Sequence, residues 1–133
     1  MNYAVDCSFS SALFLPDEKS GDVSAFFMRL KPADRVFIPL LWWYETANVL
    51  SVAIKRKRLT HNQVFSISDL LEKLPFETDM RCGAEHARHI VELSQLYNLS
   101  SYDAAYIELA VRTKSKLMSL DAGMISAAKE IGL

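Results

Sequence analysis

The stretch Asn2-Tyr3-Ala4-Val5-Asp6-Cys7-Ser8 decides how this chain of 133 residues is expected to fold. Its apolar residues predict a buried strand, and Asp6 then places a carboxylate at the C-terminal end of that strand. Other acids that reach the same end of a sheet would form a site with Asp6.

Further predicted strands alternate with helical patterns along the chain. Short apolar runs between turn residues predict strands at 35–38 and 116–120, and a weaker one at 76–80. Periodic apolar residues predict helices at 8–15, 23–31, 40–57, 61–74, 82–98, 101–113 and 122–131, and 17–22 reads as a polar loop. This alternation predicts an α/β fold with a parallel sheet, in one domain that spans residues 1–133.

Composition and charge limit where the protein works and what it binds. No window approaches the ~18 uncharged apolar residues of a membrane span, and no basic segment precedes an apolar core at the N-terminus. We therefore expect a cytoplasmic protein, with Cys7 and Cys82 as buried thiols in a reducing compartment. A net charge of -1 provides no global attraction for nucleic acid, so such binding would depend on a local patch. The best candidate patch is Lys55-Arg56-Lys57-Arg58.

The third predicted helix is apolar on nearly all sides. Such a helix is either buried on several sides or contacts another chain. Glu45 is its only acid, and a carboxylate among apolar neighbours needs a cation, a metal or hydrogen-bond donors. The alternative is that Glu45 falls on the one exposed strip of the helix.

A second candidate metal site lies in the predicted helix 82–98. Cys82, Glu85, His86 and His89 are spaced at i, i+3, i+4 and i+7, so they share one face and could ligate zinc. Their spacing is not an established zinc motif, and a hydrated polar face explains it equally well.

Three other acids can join Glu45 at one edge of the sheet. Asp6 and Asp121 follow predicted strands, and Asp103 lies in the first turn of a predicted helix. Each also has a purely local explanation, because Asp6 and Asp121 can cap helices and Asp103 can stand three residues after the N-cap Ser100. In parallel sheets, however, ligand sites lie outside the carboxyl ends of the strands, so a common edge can gather all four acids.

Four clustered carboxylates have a definite electrostatic consequence. A pair about 4 Å apart repels by about 4 kcal/mol at an effective dielectric constant of about 20. Hard divalent cations such as Mg²⁺ or Mn²⁺ offset this repulsion, and their usual chemistry is phosphodiester hydrolysis. The sequence contains no glycine-rich phosphate loop and no Gly-x-Ser-x-Gly elbow, and Asp6-Cys7-Ser8 lacks the second acid of a haloacid-dehalogenase-type phosphotransferase.

Four motifs in order along the chain resemble those of PIN-domain ribonucleases, and among them the small VapC-like toxins. They are Val5-Asp6-Cys7-Ser8, Trp43-Tyr44-Glu45-Thr46-Ala47-Asn48-Val49-Leu50, Leu99-Ser100-Ser101-Tyr102-Asp103-Ala104-Ala105-Tyr106 and Met118-Ser119-Leu120-Asp121. The resemblance implies a three-layer α/β/α fold with a mainly parallel sheet of four or five strands.

The same resemblance implies roles for particular residues. Asp6, Glu45, Asp103 and Asp121 would be the catalytic acids that bind Mg²⁺ or Mn²⁺, supported by Ser8, Asn48 and Ser119. It further implies an RNA substrate, a homodimer, and a cognate antitoxin with a segment that lies across the active site. The competing hypothesis is a non-catalytic PIN-like module that docks a protein partner through its apolar third helix.

Overall fold

The computed structural model describes residues 1–15 and 21–133, and these form four strands and seven helices. In chain order the elements are β1 (Asn2–Val5), α1 (Cys7–Phe14), α2 (Gly21–Arg29), β2 (Arg35–Pro39), α3 (Leu40–Lys55), α4 (His61–Lys73), β3 (Phe76–Asp79), α5 (Ala84–Tyr97), α6 (Ser101–Thr113), β4 (Lys116–Met118) and α7 (Ala122–Ile131).

The four strands form one parallel sheet in the order β3-β2-β1-β4. This confirms the predicted α/β fold. The resemblance implies four or five strands, and the described residues form four. The strand β1 lies between β2 and β4, with Ala4 opposite Phe37 on one side and Leu117 on the other. Because β1 is interior, Ala4 and Val5 are fully buried.

Helices cover both faces of the sheet, because successive strand residues point to opposite sides. Val5, Val36 and Ile38 pack into one large core with side chains of α1 to α4. Ala4 and Phe37 point the other way and pack against Leu109 and Ala110 of α6. The sheet is therefore the middle layer of three.

Several element ends differ from the sequence prediction for local backbone reasons. The helix α3 ends at Lys55 and not near residue 57, where Lys57 has a positive φ of 58°. The helix α5 begins at Ala84 because Gly83, with φ of 111°, precedes it. Gly21 and Asp22 begin α2, so the predicted polar loop is wrong there, and its remainder lies outside the described residues.

The third helix is buried along one stripe only. Trp42, Thr46, Leu50 and Ala53 are buried, whereas Trp43 is 40% exposed and Tyr44 is 76% exposed. Burial on all sides is thus ruled out, which leaves a face of α3 open to another molecule.

The cysteine prediction is half right. Cys7 is buried and its thiol lies 3.7 Å from the Thr46 hydroxyl, but Cys82 is exposed because it precedes α5. No helix among the described residues is long and apolar enough to cross a membrane.

Candidate active site

Asp6 is held at the end of β1 by four hydrogen bonds. It is the N-cap of α1 and accepts from the Phe9 backbone N–H at 2.8 Å. The Ser8 hydroxyl donates to both carboxylate oxygens, and the Ser119 hydroxyl donates to Oδ2 at 2.5 Å. Burial raises the pKa of Asp6, the bonds from Ser119, Phe9 and Ser8 lower it, and Asp121 raises it further. The net shift is upward.

Ser8 and Ser119 also join the ends of β1 and β4. The Ser8 hydroxyl accepts from the Leu120 backbone N–H at 3.1 Å, and the Ser119 hydroxyl accepts from the Asp121 N–H at 3.0 Å. Both predicted supporting serines therefore contact Asp6 and orient the loop that carries Asp121.

Glu45 extends from α3 and is oriented by a residue that sequence reasoning did not single out. The Tyr106 hydroxyl donates to Glu45 Oε1 at 2.7 Å, across 61 residues of chain. Burial raises the pKa of Glu45, the bond from Tyr106 lowers it, and the charges of Asp103 and Asp6 raise it. Tyr106 is 1% exposed and lies one helical turn after Asp103, so its place in the motif was the available signal.

The other two acids lie at the N-termini of helices. Asp103 is in the first turn of α6, where its backbone N–H donates to the N-cap Ser100 at 3.1 Å. Burial raises the pKa of Asp103, a side-chain hydrogen bond between its carboxylate and Ser100 lowers it, and the charge of Asp121 raises it. Asp121 is the N-cap of α7 and accepts from the Met124 N–H at 2.9 Å. The capping explanations of these residues hold, and they coexist with the proximity of the acids.

Each of the four acids has an electrostatic interaction with two of the others. The charge of Asp121 acts on both Asp6 and Asp103, and Glu45 experiences the charges of both Asp6 and Asp103. Within residues 1–15 and 21–133, no lysine or arginine forms a salt bridge with any of the four. Helix N-termini at Asp6, Asp103 and Asp121 offset part of the repulsion.

The donor set fits a hard divalent cation by its chemistry. It offers carboxylate oxygens alone, and Glu45 Oε2 and Asp121 Oδ2 accept no hydrogen bond among the described residues. No three acidic, histidine or cysteine side chains in the described ranges surround a point tightly enough to hold a metal ion. Magnesium typically uses one or two direct carboxylates and retains several waters, so contact through water matches this spacing.

A cavity of about 450 Å³ opens beside these acids. Glu45 and Asp103 line it, and so does Asn48, the third predicted supporting residue, which is exposed. The Asn48 side chain makes no hydrogen bond within the described chain, so the structure brings it to the site but does not bond it to an acid.

The alternative zinc face does not form a metal site. Cys82 lies outside α5 and is exposed, and the described residues include no metal-holding group of three or more such ligands. His86 instead faces Glu108, with Nδ1 3.8 Å from Oε2, and Glu108 is bonded to Arg112.

The raised pKa values predict how metal-free stability depends on pH. The folded protein holds protons on Asp6 and Glu45 above their ordinary pKa values of 3.8 and 4.5, whereas the unfolded chain releases them. Below their ordinary pKa values these groups are protonated in both states and do not lower the free energy of unfolding. As pH rises from those values through the raised pKa values of the folded protein, the free energy of unfolding falls. In EDTA, Glu45→Gln should gain stability relative to the parent as pH rises, because glutamine carries no charge for burial and the neighbouring acids to oppose. Glutamine can still accept from Tyr106, so the variant keeps that hydrogen bond.

Urea unfolding between about pH 4 and pH 7 measures this difference. Glu72→Gln, an exposed carboxyl on α4, is the matched control and should show no such trend. A Glu45→Gln protein that loses stability relative to the parent as pH rises would contradict the predicted electrostatic cost.

Comparison with known proteins identifies the family to which this geometry belongs. The PIN domain model matches residues 3–130, nearly the whole chain. The chain belongs to the PIN-domain family. The match includes Asp6, Glu45, Asp103 and Asp121.

Individual known proteins are similar to this chain along most of their length. Ribonuclease VapC3 of Pyrobaculum aerophilum is 27% identical over 121 residues, which cover 91% of this chain and 90% of that protein. The crystal structure of PAE2754 from the same organism superposes with a TM-score of 0.66 at 21% identity, covering 96% of this chain and 84% of that one. Mycobacterium tuberculosis VapC20, described as a toxin that cleaves the sarcin-ricin loop, gives a TM-score of 0.72 at 15% identity and 94% coverage of both chains. These similarities confirm the predicted VapC-like PIN resemblance and the fold.

Proposed function

We propose that this protein is a divalent-metal-dependent endoribonuclease and the toxin of a type II toxin-antitoxin pair, acting as one PIN domain over residues 1–133. The observation that carries the proposal is the set of four mutually repelling carboxylates, with raised pKa values for Asp6, Glu45 and Asp103 and no cation paired with any of the four in the described chain. The similarity to Ribonuclease VapC3 and to the VapC20 toxin supports RNA as the substrate.

In this mechanism Asp6, Glu45, Asp103 and Asp121 would hold Mg²⁺ or Mn²⁺, directly or through water. The bound ion would supply activation of a water nucleophile and neutralisation of phosphate charge. Asp6 is the most rigid member, because Ser8, Ser119 and the Phe9 N–H fix its carboxylate. Tyr106 orients Glu45 so that its second oxygen is free to bind, and exposed Asp121 lies where solvent and substrate can enter.

Metal binding gives the first test of this proposal. We expect the parent protein to bind Mn²⁺, because the ion removes the repulsion among the four carboxylates. At a hundredfold excess over the dissociation constant, Mn²⁺ should stabilise the fold by about 2.7 kcal/mol. Isothermal calorimetry and thermal unfolding with and without Mn²⁺ measure both quantities.

A paired variant makes the result specific to the site. Asp103→Asn should weaken Mn²⁺ binding, whereas Asp69→Asn, on the exposed surface of α4, should bind the ion as the parent does. Equal binding by the parent and Asp103→Asn would remove Asp103 from the proposed metal site.

The proposal extends to protein partners. VapC-like toxins pair with antitoxins, and we propose a cognate antitoxin and a homodimer for this chain. Exposed apolar side chains such as Trp43 of α3, and Val91 and Leu96 of α5, provide surface for such contacts. Light scattering of the purified chain measures the homodimer directly.

A second function deserves comparison because one observation favours it. The open face of α3, with Trp43 and Tyr44 exposed, is also what a non-catalytic docking module would present. The two hypotheses separate on chemistry, because a docking module has no need of metal. A folded protein that neither binds Mn²⁺ nor cuts RNA would favour docking.

A further inference from the structure

Two of the five tyrosines in this chain stand apart from the other three. Tyr44 is 76% exposed and Tyr102 is 67% exposed. Tyr3 packs edge-on against Phe26, Tyr106 bonds Glu45, and Tyr97 packs partly buried beside α6 and α7. In the described part of the chain, the side chains of Tyr44 and Tyr102 make no ring contact and no hydrogen bond.

Both exposed tyrosines lie beside the acids. Tyr44 immediately precedes Glu45 in α3, and Tyr102 immediately precedes Asp103 in α6. Both rings line the same cavity of about 450 Å³ that Glu45 and Asp103 line. Folding therefore brings two unpartnered aromatic rings to one opening, although the residues are far apart in sequence.

An RNA substrate meets an electrostatic problem at this opening. Its phosphates are repelled by the carboxylates, and the net charge of -1 gives no compensating global attraction. A metal ion neutralises charge at the reacting phosphate only. Affinity for the neighbouring nucleotides must come from contacts that do not depend on charge, and stacking of bases on aromatic rings is such a contact.

The helix α3 also connects this opening to a basic segment. Tyr44, Asn48, Ser51 and Lys55 are all exposed and are spaced along one helical face. Lys55 lies about 16 Å from Tyr44 along the helix axis and begins the exposed run Lys55-Arg56-Lys57-Arg58. A single strand of RNA that follows this face of α3 would have its phosphates near the basic segment at one end and its bases near Tyr44 at the other.

We propose that Tyr44 and Tyr102 bind single-stranded RNA by stacking on the bases next to the scissile phosphate. This inference rests on the proposed ribonuclease function and names its substrate class and two positioning residues. Single-stranded or looped RNA follows from the chemistry, because the bases of a continuous duplex are already stacked and closed to side chains. Stacking needs the ring and not the phenol hydroxyl.

Charge also favours RNA over an apolar protein surface as the ligand of this opening. An apolar protein surface seated on both tyrosines would exclude water from Glu45 and Asp103 in the same cavity. Burial of unpaired carboxylates in that way is costly. A nucleotide leaves the acids beside its phosphate, where a metal ion and water can remain.

Binding is best measured in the Asp6→Asn background with Mn²⁺ present, so that RNA is not consumed. The probe is a fluorescent single-stranded RNA of mixed sequence, about 12 nucleotides long, with the same sequence annealed as a duplex for comparison. Tyr44→Ala and Tyr102→Ala should each weaken single-strand binding by about 5- to 100-fold. Tyr44→Phe and Tyr102→Phe should bind like the background protein, because they keep the ring. Phe65→Ala removes an equally exposed ring from α4 and should leave binding unchanged.

In an otherwise unaltered chain, cleavage kinetics give a second readout. Loss of either ring should raise KM for single-stranded RNA more than it lowers kcat, because stacking acts in the ground state. Three results would overturn the inference. The first is RNA binding by Tyr44→Ala and Tyr102→Ala as tight as that of the background protein, and the second is an equal loss of RNA affinity in Phe65→Ala. The third is a change in oligomeric state, measured by light scattering, in either tyrosine-to-alanine variant without a change in its RNA affinity. If the parent chain cuts RNA and the alanine variants match it, stacking fails while the ribonuclease function stands. If the parent with Mn²⁺ cuts no RNA, the proposed function itself fails.

Discussion

Asp6→Asn is expected to lower the rate of Mn²⁺-dependent RNA cleavage by roughly a thousandfold, because a bound metal supplies several kcal/mol of transition-state stabilisation. Asparagine Oδ1 can still accept from Phe9 N–H and Ser8, and its amide group can donate to the Ser119 hydroxyl in place of the bond that Asp6 accepts there. The fold should therefore survive while one negative charge of the site is lost. The measurement is the single-turnover cleavage rate of a labelled RNA with matched protein and metal concentrations.

The control for this variant is Asp69→Asn, which makes the same chemical change on the exposed surface of α4. It should cleave RNA at the parent rate. Cleavage by Asp6→Asn at the parent rate, with circular dichroism showing both proteins folded, would exclude Asp6 from the chemistry. A loss in both variants would point to a contaminating nuclease or a general defect.

Trp42→Ala is expected to reduce the free energy of unfolding by about 3–5 kcal/mol, a large part of the 5–15 kcal/mol of a typical domain. Trp42 is fully buried between Trp43 and Phe76, with ring centroids 4.9 Å and 5.0 Å away. Its indole N–H donates to the Ser10 hydroxyl at 2.9 Å, and Ser10 donates to the Asp6 carbonyl at 2.8 Å. The substitution thus leaves a cavity and also loosens the turn that positions Asp6.

Urea denaturation measures this loss, and the neighbouring tryptophan provides the comparison. Trp43 donates to Thr78 at 3.0 Å but is 40% exposed. Because less of its ring is buried, Trp43→Ala should reduce the free energy of unfolding much less than Trp42→Ala does. Trp42→Phe keeps most of the packing and should lose about 1–3 kcal/mol, which gives a measurable value if the alanine variant does not fold. Equal losses for the two alanine variants would show that burial does not distinguish these positions.

Local sequence patterns predicted the elements and most of their ends correctly. Ser100 caps α6 as the sequence indicates, and Thr60 caps α4 in a complete capping box with Gln63. Such signals work because a cap acts within three or four residues of chain, and neighbouring elements change it little. Where the prediction failed, as at Lys57 and Gly83, a single residue with positive φ ended or preceded a helix.

Exposure along α3 could not be predicted in the same way. Its apolar residues are distributed around the helix, so composition alone could not say which stripe faces the sheet. The structure buries Trp42 and exposes Trp43, although the two residues are identical and adjacent. That choice depends on which side chains of α1 and β3 are available to pack against each ring, which is tertiary information.

The sequence by itself determined the strands and helices, the caps, and a set of four acids whose order along the chain is typical of the PIN-domain family. Only the tertiary structure decided that β1 lies between β2 and β4, which brings Ser119 to Asp6 across 113 residues and Tyr106 to Glu45 across 61. It also decided that Tyr44 and Tyr102 share one cavity. The physical reason is range: propensity and capping act between near neighbours in the chain, whereas strand order and the contacts across a site depend on how whole faces pack together.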